Sequence, residues 1–270
     1  MMRALWTAAS GMTSQQTNVD VISNNLANIN TTGYKKQTAE FKSLLYQTIQ
    51  EQSTDNNGDP KPSGIQVGLG VRNSSITTQF SQGAFTETGN DFDLAINGKG
   101  FFMVRNQEGD IAYTRNGAFQ FAVGSEGITF VTSDGYPVLD TNQEPIILED
   151  TYNVANITIN EYGELCYPDA DGNPVSIGKR IGLAQFNNSN GLAKLSNSLL
   201  KETEASGAAR VETEDAGLKA STLKQGYLEA SNVQTVDEMV NLIVAQRAYE
   251  MNSKVITASD EMLKQANNLR

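Results

Sequence analysis

Apolar side chains near the start of the chain recur every seven residues. Leu5, Met12, Val19 and Leu26 make one row, and Ala8, Gln15, Ile22 and Ile29 make a second. This is the a/d pattern of a helix that packs on another helix. Residues 3 to about 30 are therefore expected to be helical, with Gly33 as the stop. The other end of the chain carries a matching pattern. "TVDE" at Thr235–Glu238 has the form of a capping box. Behind it an apolar stripe runs through Val236, Val240, Val244, Ala248, Met251, Val255, Ala258, Met262 and Leu269. Its first steps are four residues each, which locally unwinds a coiled coil. Either stripe alone reads as the core face of a surface helix. Two near-heptad stripes at opposite ends predict that the terminal helices pair.

Between them the period changes. "FDLAI" alternates at Phe92, Leu94 and Ile96, and short apolar runs follow at "FFMV", "AFQFAV", "ITFV" and "NITI". Asn97-Gly98, Glu108-Gly109, Asn116-Gly117, Glu126-Gly127, Asp134-Gly135, Tyr162-Gly163 and Asp171-Gly172 separate them, and such dipeptides supply the positive φ of tight turns. The prediction is an α+β chain. Its terminal helices, residues 1–35 and 232–270, pair as a coiled-coil-like α domain. A central, mostly antiparallel β domain spans 85–190, with extended connecting segments at 36–84 and 191–231. Residues 50–64 are polar and turn-rich and read as an exposed loop.

Chemistry is scarce. The chain has no His, which removes the commonest general base and metal ligand. The single Cys166 allows no internal disulfide and reads as a small buried side chain. "DADGN" at Asp169–Asn173 begins like a calcium loop, but Pro174 and Arg180 occupy the positions that need Gly and Glu. "GLGVRN" at Gly68–Asn73 lacks the third Gly of a dinucleotide loop. Asp91 and Asp93 share a strand face and read as solvated edge charges. No catalytic, cofactor-binding or metal-binding residue is expected.

The net charge is −11, which argues against a nucleic-acid partner. It is uneven, near neutral over 1–40 and 201–270 and most acidic in the middle. No apolar run reaches the ~20 residues of a membrane span, so no membrane insertion is expected. "MMRALWTAASGM" lacks the apolar core of a signal peptide.

Asn24, Asn25, Asn28 and Asn30 close the first helical stretch, although Asn disfavours helix interiors. An Asn in an apolar seam fixes register and partner choice without carrying charge. The terminal helices also offer too little apolar surface to be well ordered as an isolated pair. Both points favour assembly over catalysis. The expected interface is Leu5, Met12, Val19, Ile22, Asn24, Asn25, Leu26, Asn28, Ile29 and Gly33, with Val236, Val240, Val244, Met251, Val255 and Met262.

"ALWTAASGMTSQQTNVDVISNNLANINTTGYKK", "FDLAINGKGFFMV" with "YTRNGAFQF", and "LEASNVQTVDEMVNLIVAQRAYEMNSKVI" cover all three regions in order. Together they resemble the bacterial flagellar axial family, the rod and hook proteins. "FKSLLYQTIQ" followed by "PSGIQVGLGVR" resembles a segment the family associates with a straight, stiff rod. The resemblance implies a structural subunit with no enzymatic activity and no cofactor, forming a helical homo-oligomer. The terminal helices would form inner layers of a tube and the β region its outer layer. Implied partners are proximal rod proteins, hook protein, surrounding ring proteins and the flagellar export apparatus. The implied location is the periplasmic rod of the basal body, reached through type III export without a cleavable signal peptide.

Overall fold

The computed structural model describes residues 2–50, 64–124, 127–149, 152–169, 173–213, 215 and 217–268. The chain forms two compact units. A helical unit is built from 1–27, 37–78 and 234–270, and a β unit from 28–36 and 79–233.

In the helical unit, α1 (Met2–Ala27) and α2 (Thr235–Asn268) pack on each other. α1 stops six residues before Gly33, so that glycine is not its stop. The helix ends instead in a turn in which Asn28 accepts from Thr31, by its carbonyl to the amide and by its side chain to the hydroxyl. α2 begins at Thr235, the residue that the capping-box reading made the cap. Between the helices in sequence lies a two-stranded ribbon. β1 (Gln37–Ser43) pairs antiparallel with β4 (Val71–Thr78), and β2 (Tyr46–Gln50) with β3 (Ile65–Gly68). Leu44 N–H to the Gly70 carbonyl and Leu69 N–H to the Leu45 carbonyl join the two pairs into one continuous ladder. Residues 51–63, most of the segment expected to be an exposed loop, lie outside the described residues.

The β unit is antiparallel throughout its named pairings. β5 (Phe85–Glu87), β6 (Leu94–Asn97), β7 (Phe101–Arg105) and β8 (Ile111–Thr114) open it. β7 and β8 sit at the centre of a six-stranded sheet, flanked by Leu199–Lys201 and Ala193–Lys194 on one side and Leu183–Gln185 and Arg210–Val211 on the other. The run "FFMV" is apolar without alternation because β7 is buried on both faces. Phe102 and Val104 enter a large cluster with Leu94, Ile96, Phe119 and Phe130, while Phe101 and Met103 enter a second with Tyr113 and Leu139. β6 pairs with Thr222–Gln225, so the alternating "FDLAI" meets a partner more than a hundred residues later. Among the predicted turn glycines, Gly98, Gly109, Gly127, Gly135 and Gly163 adopt positive φ.

Two chemical expectations meet the structure here. Asp93 is buried, where a solvated edge charge was expected. Its carboxylate accepts from Thr88 Oγ1 at 2.6 Å and Asn90 Nδ2 at 3.2 Å, and so ties the turn ahead of β6. Its neighbour Asp91 is exposed, and only its backbone carbonyl is engaged, by Gln225 Nε2. Cys166 is buried, and burial with Glu164 nearby pushes its thiol up, away from the reactive thiolate.

Candidate assembly surface

One contact of α1 with α2 lies at Gly11. A Cβ built there would lie 2.8 Å from Asn252 Nδ2, so the missing side chain lets the helices approach closely. Fourteen residues further along α1, Asn25 Nδ2 donates to Glu238 Oε2 at 3.1 Å. Asn252 and Glu238 follow in reverse order, so the helices run antiparallel. Asn25 is buried, and its amide also reaches the start of β1. Its Nδ2 donates to the Gln37 carbonyl at 2.8 Å, and its Oδ1 accepts the Gln37 N–H at 2.9 Å. One amide thus imitates a neighbouring strand for the start of β1. Further along, Asn73 Nδ2 donates to Thr17 Oγ1 at 2.7 Å, and Val71 N–H to Ser10 Oγ at 3.3 Å. The ribbon is therefore laid along α1 by polar contacts.

The face that α2 turns to α1 differs from the stripe chosen in the sequence. Glu238, Ala245 and Ser259 are its buried positions, with Asn252 at the Gly11 contact. The apolar stripe lies elsewhere and is exposed: Val236 73%, Val240 53%, Val244 62%, Met251 64%, Val255 45% and Met262 50%. Leu242, Ile256 and Leu263 fall in the same row as the buried positions and are half-buried, so the pairing face mixes small, polar and apolar residues, and a second apolar stripe lies outward. A helix in a self-contained fold normally turns a polar face outward, and the second stripe departs from that pattern. Met239 and Ile243 widen the stripe, at 53% and 56% exposed. A cleft of about 390 Å³ lined by Gln16, Val19, Gln246, Tyr249 and Glu250 opens between the two helices.

On α1, Ile22 is buried and Leu5, Met12, Val19 and Leu26 are half-buried; Asn24 is exposed. Beyond the helix, Asn28, Ile29 and Gly33 are half-buried and belong to the β unit. The described end of the ribbon adds a second apolar exposure at Leu45, Tyr46, Ile49 and Ile65.

The segment 28–36 lies on the β unit. Gly33 has φ +70°, and a Cβ there would meet the Arg115 carbonyl carbon at 2.7 Å. Its N–H donates to the Glu229 carbonyl at 2.8 Å. Lys35 and Arg115 both pair with the one carboxylate of Glu229, and all three side chains are nearly fully buried. The Glu229 carboxylate also accepts the Gly83 N–H at 2.9 Å, Lys35 Nζ donates to the Ser81 carbonyl and Arg115 Nη2 to the Gly98 carbonyl, each at 2.8 Å. The Arg115 guanidinium lies 5.0 Å from the Phe101 ring centroid. Burial holds the Lys35 ammonium and the Arg115 guanidinium below their usual ranges, against the pull of Glu229. These three residues were not singled out from the sequence. They lie inside "TTGYKK", "YTRNG" and "LEASN", and their spacing along the chain gives no sign that they meet.

Among the described residues no helix is long and apolar enough to cross a membrane. Three family profiles match the chain. One described as "Flagella basal body rod protein" covers residues 5–35, the hook protein FlgE/F/G D1 domain covers 95–167, and the basal body rod FlgEFG protein C-terminal region covers 224–269. The flagellar basal-body rod protein FlgG of Caulobacter vibrioides is 46% identical over 274 residues, covering all of both chains. FlgG of Borreliella burgdorferi is 45% identical over 276 residues, covering all of this chain and 99% of its own. The flagellar hook-basal body complex protein FlhP of Bacillus subtilis is 35% identical over 277 residues, covering all of both chains. These likenesses define a flagellar axial protein of the rod and hook class. Within that class, the chain belongs to the family of the flagellar basal-body rod protein FlgG and is a structural subunit of the basal-body rod.

Proposed function

We propose that this chain polymerises into the distal part of the rod as a stiff helical tube that transmits torque and encloses the export channel. The observation that carries this is the exposed apolar face of α2. In a free monomer such a face is a liability. In a polymer, other copies of the chain cover it. A patch on one subunit meeting a different patch on the next makes a heterologous contact, and one that does not close a ring builds an open helix. The interface consists of Val236, Val240, Val244, Met251, Val255 and Met262 of α2. Leu5, Met12, Val19, Ile22, Leu26, Ile29 and the Asn24–Asn28 cluster contribute from the α1 side. The terminal helices α1 and α2 then act as a coiled-coil-like polymerisation region.

On this reading the subunit has no enzymatic role and needs no cofactor. Its neighbours are proximal rod proteins below, hook protein above, ring proteins around and the export apparatus at the base, in the periplasm. A proximal rod or short hook protein is the alternative. The chain length and the "PSGIQVGLGVR" segment support the distal reading.

Val244→Asp and Leu26→Asp test it. Each should abolish rod assembly and swimming, while circular dichroism of the purified variant keeps the β signal. A charge at a buried apolar contact costs several kcal/mol per interface, enough to stop a repeating polymer. Folded variants that assemble normally would remove the stripe from the interface.

A further inference from the structure

Trp6 is the chain's one tryptophan, and 73% of it is exposed on α1. Met2, one turn earlier, is exposed beside it. A ring of this size gains much by burial, and Trp is among the residues most enriched at the centres of tight interfaces. The helical unit also holds a hole of matching character, the cleft of about 390 Å³ between α1 and α2. Val19 and the Tyr249 ring are its apolar lining, and Gln16, Gln246 and Glu250 bring amide and carboxylate oxygens to it. An indole needs this mixture, an apolar wall for its rings and one acceptor for its N–H. Trp6 cannot fill the cleft of its own chain. It precedes Gln16 by ten residues on the same helix, which is about 15 Å along the axis.

Charge agrees with the match. Arg3 is the only charged side chain in residues 2–19 and lies three residues before Trp6, so the two are neighbours on the helix surface. At the cleft, Glu250 and Asp20, which follows Val19, are exposed acids, and the exposed Arg247 guanidinium reaches Glu250 only at 3.4 Å. We infer that Trp6 of one copy fills the α1–α2 cleft of a second copy, with Arg3 against Glu250. This rests on the reading that the chain polymerises, and it names one contact within the polymer. Knob and hole are different surfaces at different heights on the helical pair, so each copy gives one and receives another. Such a contact is heterologous and continues from copy to copy without closing on two.

The test uses the full-length chain, as free monomer and in isolated rods. Oxidation of the Trp6 indole by hydroxyl radicals, read by mass spectrometry, should fall by about tenfold from monomer to rods, because a ring seated in the cleft is desolvated. Arg3→Cys and Glu250→Cys placed together in one chain leave the knob and the cleft intact, and Cys166 is buried. A short bis-maleimide applied to rods of that variant should give a ladder of covalent multimers, and either substitution alone should leave monomers. Trp6→Ala should raise the concentration needed for rod growth by about tenfold, and Trp6→Phe by less. Rods whose Trp6 oxidises as fast as in the monomer would overturn the inference. So would rods in which Trp6 is protected but the paired cysteines give only monomers, since another surface would then cover the ring. Either result leaves the polymer reading standing, because rods have formed. Failure of the wild-type chain to enter rods would remove that reading and this inference with it.

Discussion

Asn25 holds three parts of the helical unit with one amide: α1, which carries it, the first residue of β1, and Glu238 in the first turn of α2. Asn25→Asp would replace the donor Nδ2 with a carboxylate oxygen facing both Glu238 and the Gln37 carbonyl. Buried like charges and two lost bonds predict destabilisation of the helical unit by about 2–4 kcal/mol. Urea unfolding followed at helix and sheet wavelengths would show the helical transition moving to lower urea, with the β transition in place. Coincident loss of both, or no change, would contradict this role. The Asn cluster was visible in the sequence as an anomaly, because four amides near a helix end conflict with propensity. What each amide touches was not visible. Asn25 bonds to a strand twelve residues on and to a helix 213 residues on. The Lys35–Arg115–Glu229 cluster was hidden for the same reason. Opposite charges far apart in sequence carry no mark of their partners.

Both long helices were legible as elements, since sustained seven-residue periodicity survives the loss of all other information. The stripe expected to meet α1 is exposed on α2 instead. Pattern reading turns the most apolar stripe inward, and that assumption holds for a chain that buries its own core. Here the buried Glu238, Ala245 and Ser259 share one row with the half-buried Leu242, Asn252, Ile256 and Leu263, and the stripe chosen in the sequence is a second apolar row. The clue lay in "SGM". A glycine in mid-helix costs stability unless a close approach requires it, and Gly11 is that approach. Gly11→Leu should push the helices apart and lower the melting temperature of the helical signal by several degrees, with the β signal unaffected. An unchanged thermal scan would contradict the packing. The ribbon formed by β1 to β4 was legible only as extended chain. Its strands are short and mostly exposed, so they lack a clean alternation of apolar and polar residues.

At the scale of the molecule, the two units divide the work in a way the composition hints at. The β unit buries its aromatic residues in two clusters on either side of one sheet, as a self-sufficient domain does. The helical unit buries Ala8, Val21, Ile22 and Ala245 inside and presents a second set of large apolar side chains, on α2, to the outside. A polymer subunit needs this distribution, with enough internal contact to set helix direction and enough external surface to bind its neighbours. The acidic middle of the sequence falls in the β unit, away from that surface in sequence.

The most direct test of this account is the chemical accessibility of the α2 stripe before and after assembly. Val244→Cys places one thiol on it, and the native Cys166 is buried and stays silent. A maleimide probe applied to the folded monomer and to isolated rods would report the same site in both states. The account predicts fast labelling of the monomer and strong protection in rods. Equal labelling in both would show that the apolar face of α2 stays open in the polymer, and the assembly role assigned to it would fall.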